Sequence, residues 1–368
     1  MNFRQIIAKN YINYVGWSLR RKIVVIESDD WGSVRSFNAT AVKHLTEQYP
    51  HMKSNKFFSN DGLERKGDLE SLFEILSKHT DCKDNSPVIT ALALTANPDF
   101  DAITASGEYR SESILKTYAD YGEGGLMDLW KSQGIEQNLL YPQFHGREHL
   151  FPGRYIKRIA NVDDVEYAAF SNRSLYGGDN TTRNTNFMAA FEYHSEEDKK
   201  AIEKTTAEGL TEFEEIFGFR SLSFCPSQSV YGDHIFPVLK AHGIKTIQAG
   251  QQFVPADLKL KMINNYWGHR TGNGLIFTRR NCTFEPYKSP TADHVGQCLK
   301  EIEIAFRWGK PAVINSHRIN YTSRIGSEIR DRTLADLDVL LKSVIKRWPD
   351  VEFINSAQLA VIISSNSK

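Results

Sequence analysis

Three groups of polar residues in this sequence could together bind a metal ion and carry out acid–base chemistry. The vicinal pair Asp29-Asp30 lies shortly after one apolar run, from which Glu27 and Ser28 separate it. His145 and His149 are four positions apart after a second such run, and His317 follows a third. Two imidazoles and one carboxylate leave open coordination positions on a divalent ion, as in catalytic metal sites. Because water bound at such an ion is acidic enough to give hydroxide near neutral pH, this combination predicts hydrolysis.

Each group taken alone also has an ordinary structural explanation. Among eleven histidines, two at this spacing can arise by chance. A histidine in the position of His317 is about as often a buried side chain hydrogen-bonded to the backbone as it is a catalytic acid. An isolated Asp pair is usually a helix N-cap beside a solvated carboxylate. Here the pair follows a wholly apolar run, where adjacent carboxylates repel each other unless a cation or hydrogen bonds stabilise them. We therefore expect one carboxylate to bind the ion, the other to accept a proton and His317 to protonate the leaving group.

The three groups can act together only if the fold brings distant segments to one place. Apolar runs typical of buried strands lie at 23–26, 88–94, 139–144, 221–225, 244–247, 275–278, 313–314 and 351–354. Helical patterns alternate with them at 69–78, 196–217, 235–242, 295–308 and 333–347. Repeated β-then-α units predict a parallel sheet, and about seven or eight of them favour a closed α/β barrel over an open sheet. The carboxyl ends of barrel strands converge on one face, where the groups would meet.

Outside these units we expect one helix before the barrel and two insertions within it. Residues 1–20 place apolar side chains along one helical face, which we expect to pack against the core. Residues 21–368 show no internal repeat and no low-complexity linker, so they are interpreted as a single domain. The segments 35–84 and 101–136 are long for barrel connections and are candidate insertions that shape a substrate cleft.

The composition is that of an enzyme-sized globular protein without a charge bias. The 368 residues are 40% hydrophobic and 24% charged, with 45 basic and 45 acidic side chains. A balanced charge does not attract polyanions, so nucleic acid is not an expected partner. The four cysteines form no CxxC pair and are interpreted as reduced thiols. Because no signal peptide or transmembrane run is recognisable, we expect a cytoplasmic location.

The motifs resemble those of the NodB-type polysaccharide deacetylases, carbohydrate esterase family 4. Residues 27–32, ESDDWG, are similar to the family motif TFDDG with one inserted tryptophan. Residues 145–149, HGREH, resemble H[ST]xxH with glycine where serine or threonine is usual, and residues 314–317, INSH, resemble the Leu-x-His motif. The similarity extends from about Arg21 to Ile363. It implies a distorted (β/α) barrel of about seven parallel strands with long loop insertions.

The resemblance also implies a role for each residue of the three groups. Asp29 would be the catalytic base and His317 the catalytic acid. One divalent ion, most commonly zinc, with cobalt or nickel as alternatives, would be held by Asp30, His145 and His149. The implied activity is hydrolysis of the acetamide of an N-acetylated sugar, in a glycan or a glycan precursor, with metal-activated water as the nucleophile. The implied partner is therefore an acetylated carbohydrate.

One family motif departs from the pattern. The family's Arg-x-Pro-Tyr motif would place an arginine near the catalytic base, whereas the corresponding residues 224–227, FCPS, keep Pro226 but contain no arginine. Arg279 or Arg280, which follow the run 275–278, could reach Asp29 from a neighbouring strand end and hold its pKa down. For at least one of them an ordinary surface charge is the expected explanation.

The sequence leaves the substrate contacts and two alternative functions open. We expect one or two of four aromatic residues near the strand ends to line the cleft and stack on sugar rings, and these are Trp31, Tyr141, Tyr231 and Trp267. The same groups could hydrolyse another non-peptide C–N bond or an O-acetyl ester. The missing motif arginine favours a catalytically silent barrel that binds carbohydrate or a structural metal. Against that alternative, a structural metal site needs neither a base nor an acid beside its ligands.

Overall fold

The computed structural model describes residues 3–178, 186–256 and 259–365. Its strands are β1 (Lys22–Trp31), β2 (Ile89–Leu94), β3 (Ala96–Pro98), β4 (Ser111–Ser113), β5 (Leu140–Gly146), β6 (Ser223–Phe224), β7 (Thr246–Gln248), β8 (Gln251–Ala256), β9 (Lys259–Asn264), β10 (Ile276–Thr278), β11 (Cys282–Thr283), β12 (Ala312–His317) and β13 (Val351–Phe353).

The α-helices include one before the first strand and one after the last. They are α1 (Phe3–Tyr14), α2 (Ala39–Gln48), α3 (Lys56–Asn60), α4 (Lys66–Ser77), α5 (Phe100–Ser106), α6 (Ile114–Asp120), α7 (Leu126–Leu129), α8 (Pro152–Ile159), α9 (Val165–Ser171), α10 (Glu196–Phe217), α11 (Phe236–Ala241), α12 (His294–Arg307), α13 (Glu328–Arg347) and α14 (Ser356–Ser365). No helix within the described ranges is both long and apolar enough to cross a bilayer.

A curled parallel sheet forms the centre of the molecule. Its strands follow the order β10-β7-β6-β5-β2-β1-β12-β11, and β13 pairs with the first part of β1. Each of the eight predicted apolar runs overlaps one of these strands, and the predicted helix 196–217 has the observed bounds of α10. The prediction of a distorted (β/α) barrel is therefore confirmed.

The expectation of a closed barrel is wrong, because the sheet is open between β10 and β11. Within the described residues no pairing joins these two end strands. Only residues 279–281 separate them in the chain. Parallel neighbours need a crossover of about a dozen residues or more, so strands joined by so short a link cannot pair in parallel. The result is a half-barrel whose open edge lies beside Arg279 and Arg280.

The first strand is buried on both faces, which fixes the position of the residues that follow it. Val24 and Ile26 belong to the large core, whereas Ile23 and Val25 belong to a second core on the opposite face. All four are at most 1% exposed. A strand covered on both sides in this way reads as a continuous apolar run, and its register cannot slip without exposing apolar side chains.

Helix α1 does not pack as predicted. Its expected core-facing residues are exposed by 38 to 72%, and these are Ile6, Ile7, Tyr11, Tyr14 and Val15. The helix instead docks through its polar side: Lys9 Nζ donates to the main-chain oxygen of Asn281 at 2.8 Å. The Asn281 side chain also donates to Asn13 at 2.8 Å. The helical periodicity was sufficient to predict the helix, but hydrogen bonds rather than apolar contacts decide which face is buried.

The two predicted insertions make different contributions to the cleft described below. Segment 35–84 contains α2, α3 and α4, and it supplies Arg35, Asn55 and Phe57 to the cleft lining. Segment 101–136 contributes none of the described lining residues. Much of it is apolar and buried, for example Tyr118 and Trp130 in the large core. The first insertion therefore shapes the cleft, and the second packs against the sheet.

Candidate active site

A cleft of about 670 Å³ lies at the carboxyl ends of the sheet strands. It is lined by all the residues of the three polar groups, which are Asp29, Asp30, His145, His149 and His317. Pro226, Arg279 and Arg280 also line it. Parallel packing explains the convergence, since β1 and β12 are neighbours in register and Asp29 lies opposite His317. The structure thus brings together segments that are far apart in the sequence.

Both carboxylates of the Asp pair reach the cleft because the end of β1 is irregular. In a regular strand, consecutive side chains point to opposite faces. Here the pairing of β1 with β2 shifts register between Ser28 and Trp31, and Asp30 has a left-handed φ of 75°. Aspartate tolerates this conformation better than most residues. The local departure from strand geometry therefore turns Asp30 towards the histidines while Asp29 stays beside β12.

Asp30, His145 and His149 form a compact group in which one ion could lie. The Oδ1 atom of Asp30 is 3.1 Å from Nε2 of His149 and 3.5 Å from Nε2 of His145. All three side chains are buried, and their ligand atoms lie within 4.8 Å of one another. This is the size of a site that holds one ion between nitrogen and oxygen ligands.

The hydrogen bonding of His145 leaves its Nε2 facing the carboxylate of Asp30. Nδ1 of His145 lies 2.7 Å from the main-chain oxygen of Cys225. A carbonyl oxygen can only accept, so Nδ1 carries a proton, and whenever the ring is neutral its Nε2 presents a lone pair. That lone pair faces the carboxylate of Asp30, and Nε2 has no hydrogen-bond partner within the described structure. Two electron-rich groups that face each other in a buried site require a proton or a metal ion between them.

The pKa values of His145 and Asp30 agree with this requirement, whereas burial lowers the pKa of His149. Burial disfavours the charged form of His145, yet its contact with Asp30 raises its pKa to about 10. Burial also opposes ionisation of Asp30, but the two histidines hold the pKa of its carboxyl well below the usual value. The protein therefore stabilises positive charge between these atoms.

His145 and Gly146 end β5, and the loop that follows brings His149 back beside His145. Gly146 has a φ of 142°, which side chains rarely allow, and a Cβ there would lie 3.3 Å from the ring of Phe191. This explains why glycine replaces the serine or threonine of the related motif. Between the histidines, Arg147 points away from the cleft and pairs with Glu212 at 2.9 Å.

Asp29 is held by an arginine, and that arginine is Arg280. Nη1 of Arg280 donates to Oδ2 of Asp29 at 2.8 Å, and Nη2 donates to Oδ1. Nε of the same guanidinium donates to buried Glu27 at 2.8 Å. Although burial disfavours the charged carboxylate, the charge of Arg280 keeps the pKa of Asp29 below its usual value. Arg279 instead donates to the main-chain oxygen of Asn265.

His317 is oriented by a carboxylate that sequence reasoning missed. Its Nδ1 lies 2.5 Å from Oε1 of Glu285, and its Nε2 lies 3.7 Å from Oδ2 of Asp29. Burial opposes protonation, but the charge of Glu285 raises the pKa of His317 to about 9. His317 is therefore protonated at neutral pH, and its Nε2 is directed towards the carboxylate of Asp29. Glu285 follows β11, a strand of two residues that is too short to be recognised as an apolar run.

Arg35 was also missed, and it lies beside the group of Asp30, His145 and His149. Its Nη2 is 3.7 Å from Oδ2 of Asp30, and the side chain is buried. Its guanidinium carbon lies 5.7 Å from the ring centroid of Phe57, another lining residue. Arg35 follows the Asp pair on a connection rather than at a strand end, so its position gave no signal in the sequence.

The predicted aromatic residues do not line the cleft. Trp31, Tyr231 and Trp267 are fully buried, and Nε1 of Trp31 donates to Ser28 at 2.9 Å within the core. Tyr141 lies near the opposite end of β5 and stacks on Phe219. The prediction that one or two of them face the substrate is wrong, because large rings close to strand ends fill the core. The aromatic residues that do line the cleft are Phe57 and Tyr176.

A second group of potential ligands shares His145 with the first. It consists of Asp29, His145 and Cys225. Both oxygens of Asp29 already accept from Arg280. Burial raises the pKa of the Cys225 thiol, which disfavours the thiolate that binds metals. The group that contains Asp30 is therefore the better candidate.

Comparison with known proteins gives structural neighbours only. No protein-family model and no curated protein matches the chain. A protein from Mycobacterium smegmatis assigned as a polysaccharide deacetylase matches at 13% identity and a TM-score of 0.42, with 95% of this chain and 93% of that chain covered. Polysaccharide deacetylases are thus among its structural neighbours.

Two further neighbours have other descriptions. The PuuE allantoinase matches at 10% identity and a TM-score of 0.47, over 96% of this chain and 94% of that chain. A CE4-family pseudoenzyme from Bacillus anthracis matches at 10% identity and a TM-score of 0.39, over 92% and 66%. At such identities the likeness is one of fold alone and gives no information on activity.

Proposed function

We propose that the protein is a metal-dependent deacetylase that hydrolyses the acetamide of an N-acetylated sugar in a glycan or a glycan precursor. The observation that carries the proposal is the buried contact between the lone pair of His145 Nε2 and the carboxylate of Asp30. The same cleft holds two further pairs suited to acid–base chemistry, namely Asp29 with Arg280 and His317 with Glu285. A purely structural metal site has no need of either pair.

In this proposal Asp30, His145 and His149 hold one divalent ion. Two imidazoles and one carboxylate suit zinc best, with cobalt or nickel as alternatives. When bound, such an ion polarises a carbonyl oxygen and makes water acidic enough to attack near neutral pH. The donor set of this chain fits that ion because the lone pair of His145 Nε2 has no other partner within the described residues.

The remaining residues of the site move and hold protons. Asp29, kept ionised by Arg280, accepts a proton from the attacking water. His317, kept protonated by Glu285, donates from Nε2 to the departing amine. Nε2 of His317 lies 3.7 Å from Oδ2 of Asp29, which supports a role for both groups at one reacting centre. A cleft of about 670 Å³ has the size of ordinary small-molecule sites.

Release of acetate is the direct test of this activity. Zinc-loaded protein should release acetate from N-acetylated sugars or their oligomers, and the His317→Ala variant should not. A panel that pairs N-acetylated with O-acetylated sugars, read by enzymatic detection of acetate, distinguishes the amide from the ester. Release from O-acetyl sugars alone would replace the amidase assignment by an esterase. No release from any sugar, by protein whose metal content is confirmed, would favour a silent carbohydrate-binding barrel.

The pH dependence of the reaction tests the role of Glu285. The acid must be protonated, so activity falls as the pH rises through the pKa of His317, which is about 9. Glu285→Gln removes the charge that raises this pKa. We expect the basic limb of the pH–rate profile to move to lower pH while the acidic limb stays in place. Asn320→Ala, which removes a neutral partner of Glu285, is the control and should move the limb less. An unchanged basic limb in Glu285→Gln would show that another group supplies the proton.

A further inference from the structure

Arg279 is a cation of the cleft that has no acidic partner among the described residues. Its guanidinium is partly buried, and its only hydrogen bond in the described part of the chain goes to the main-chain oxygen of Asn265. Its Nε is buried without an acceptor. Burial lowers the pKa of Arg279, and no carboxylate among the described residues offsets this effect. An arginine in such a place normally pairs with an acid, because an unpaired buried charge is costly.

The other charges of the cleft are already balanced within the site. Asp29 is bound on both oxygens by Arg280. Asp30 lies between the two metal-ligand histidines and has Arg35 at 3.7 Å. No described acidic side chain lining the cleft is therefore left for Arg279. Its partner is best sought in the ligand.

The surroundings of Arg279 hold its guanidinium at the wall of the cleft. A Cβ added at Gly250 would lie 2.7 Å from Nε of Arg279, so the guanidinium rests directly against the backbone of that glycine. Gly250 and Gln251 line the same cleft as Asp29 and His317. A guanidinium fixed at one end has lost part of its conformational entropy before a ligand arrives, which favours binding.

We propose that Arg279 binds an acidic group of the substrate, so that the acetylated sugar which this cleft accepts carries a carboxylate or a phosphate. Only the acetyl group of this substrate rests on the proposed function. The anion-binding role follows from Arg279 and its surroundings. Arginine recognises both anions through charge-assisted hydrogen bonds. The residue would set substrate specificity and would take no part in bond cleavage.

The test compares sugars that differ in charge and little else. N-acetylglucosaminuronic acid carries a carboxylate where N-acetylglucosamine carries a hydroxymethyl group. The 1- and 6-phosphates of N-acetylglucosamine supply the phosphate. Binding of each to zinc-loaded protein is measured by calorimetry for wild type, Arg279→Met and Arg270→Met. Arg270 is exposed and does not line the cleft, so its variant controls for loss of one positive charge.

We expect wild type to bind at least one acidic sugar about tenfold or more tightly than the neutral sugar. Arg279→Met should lose that preference, and Arg270→Met should keep it. Whether the carboxylate or a phosphate is preferred identifies the anion. Equal binding of acidic and neutral sugars by wild type would overturn the inference. A preference for acidic sugars that persists in Arg279→Met would overturn it too, because another cation of the cleft would then bind the anion. Binding through Arg279 without any acetate release would contradict the proposed function and leave this inference standing.

Discussion

The Asp29→Asn variant should keep its metal ion and lose about 10²- to 10⁴-fold in kcat, which is the usual effect of removing a general base. Asparagine cannot accept the proton of the attacking water, although it retains the shape of aspartate. The fold should be unaffected, because the amide oxygen can still accept from Arg280 and because Glu27 still pairs with that arginine. The measurements are steady-state acetate release and metal content of the same protein preparation.

Asp30→Asn is the matched control, since it makes the same chemical change one residue along the chain. It should lose the metal ion as well as the activity, because Asp30 is the carboxylate that faces both histidines. Equal loss of metal in the two variants would show that Asp29 and Asp30 act as joint ligands. Full activity in Asp29→Asn would remove Asp29 from the mechanism.

Replacing Arg280 by methionine should affect both stability and the pH profile. The guanidinium is the ion-pair partner of two buried carboxylates, Glu27 and Asp29. Breaking a buried ion pair from one side typically costs about 3–5 kcal/mol of folding free energy. The base must be ionised, so activity rises with pH through the pKa of Asp29. Without Arg280 this pKa rises, and the acidic limb of the pH–rate profile should move to higher pH.

Two further variants separate the charge of Arg280 from its geometry and from its neighbour. Arg280→Lys keeps a positive charge but cannot bind both oxygens of Asp29 in the same plane, so it should fold and show a smaller shift of the acidic limb. Arg279→Met should leave that limb in place, because Arg279 does not contact Asp29. Thermal unfolding of each variant is measured before kinetics. An acidic limb that stays unchanged in both Arg280 variants would mean that the metal ion alone keeps Asp29 ionised.

The sheet and the convergence of the three polar groups could be predicted from the sequence because both follow from burial. Strands covered on two faces are continuous apolar runs, as Ile23 to Ile26 illustrates, and polar residues that interrupt such a run mark its carboxyl end. In parallel sheets these ends lie on one side. The placement of Asp29 opposite His317 therefore needed no knowledge of the connecting segments.

Two kinds of feature could not be predicted: those that depend on very short strands, and those that depend on which of two adjacent residues faces the cleft. β11 has two residues and gives no periodic signal, so Glu285 and the opening of the sheet were both missed. Arg279 and Arg280 are adjacent, and their alternate directions after β10 decide which one meets Asp29. The fully buried Trp31 shows the same difficulty, because a large ring near a strand end is equally compatible with core and cleft.

The central claim is that the buried group of Asp30, His145 and His149 holds one ion on which hydrolysis depends. It is tested most directly by acetate release from chelator-treated protein that is titrated with zinc. Activity should be absent without zinc, rise in proportion to the added ion and reach its plateau near one equivalent per chain. The His145→Ala variant should stay inactive over the same range. Full activity of the metal-free wild type, or a titration of His145→Ala that matches wild type, would contradict the account.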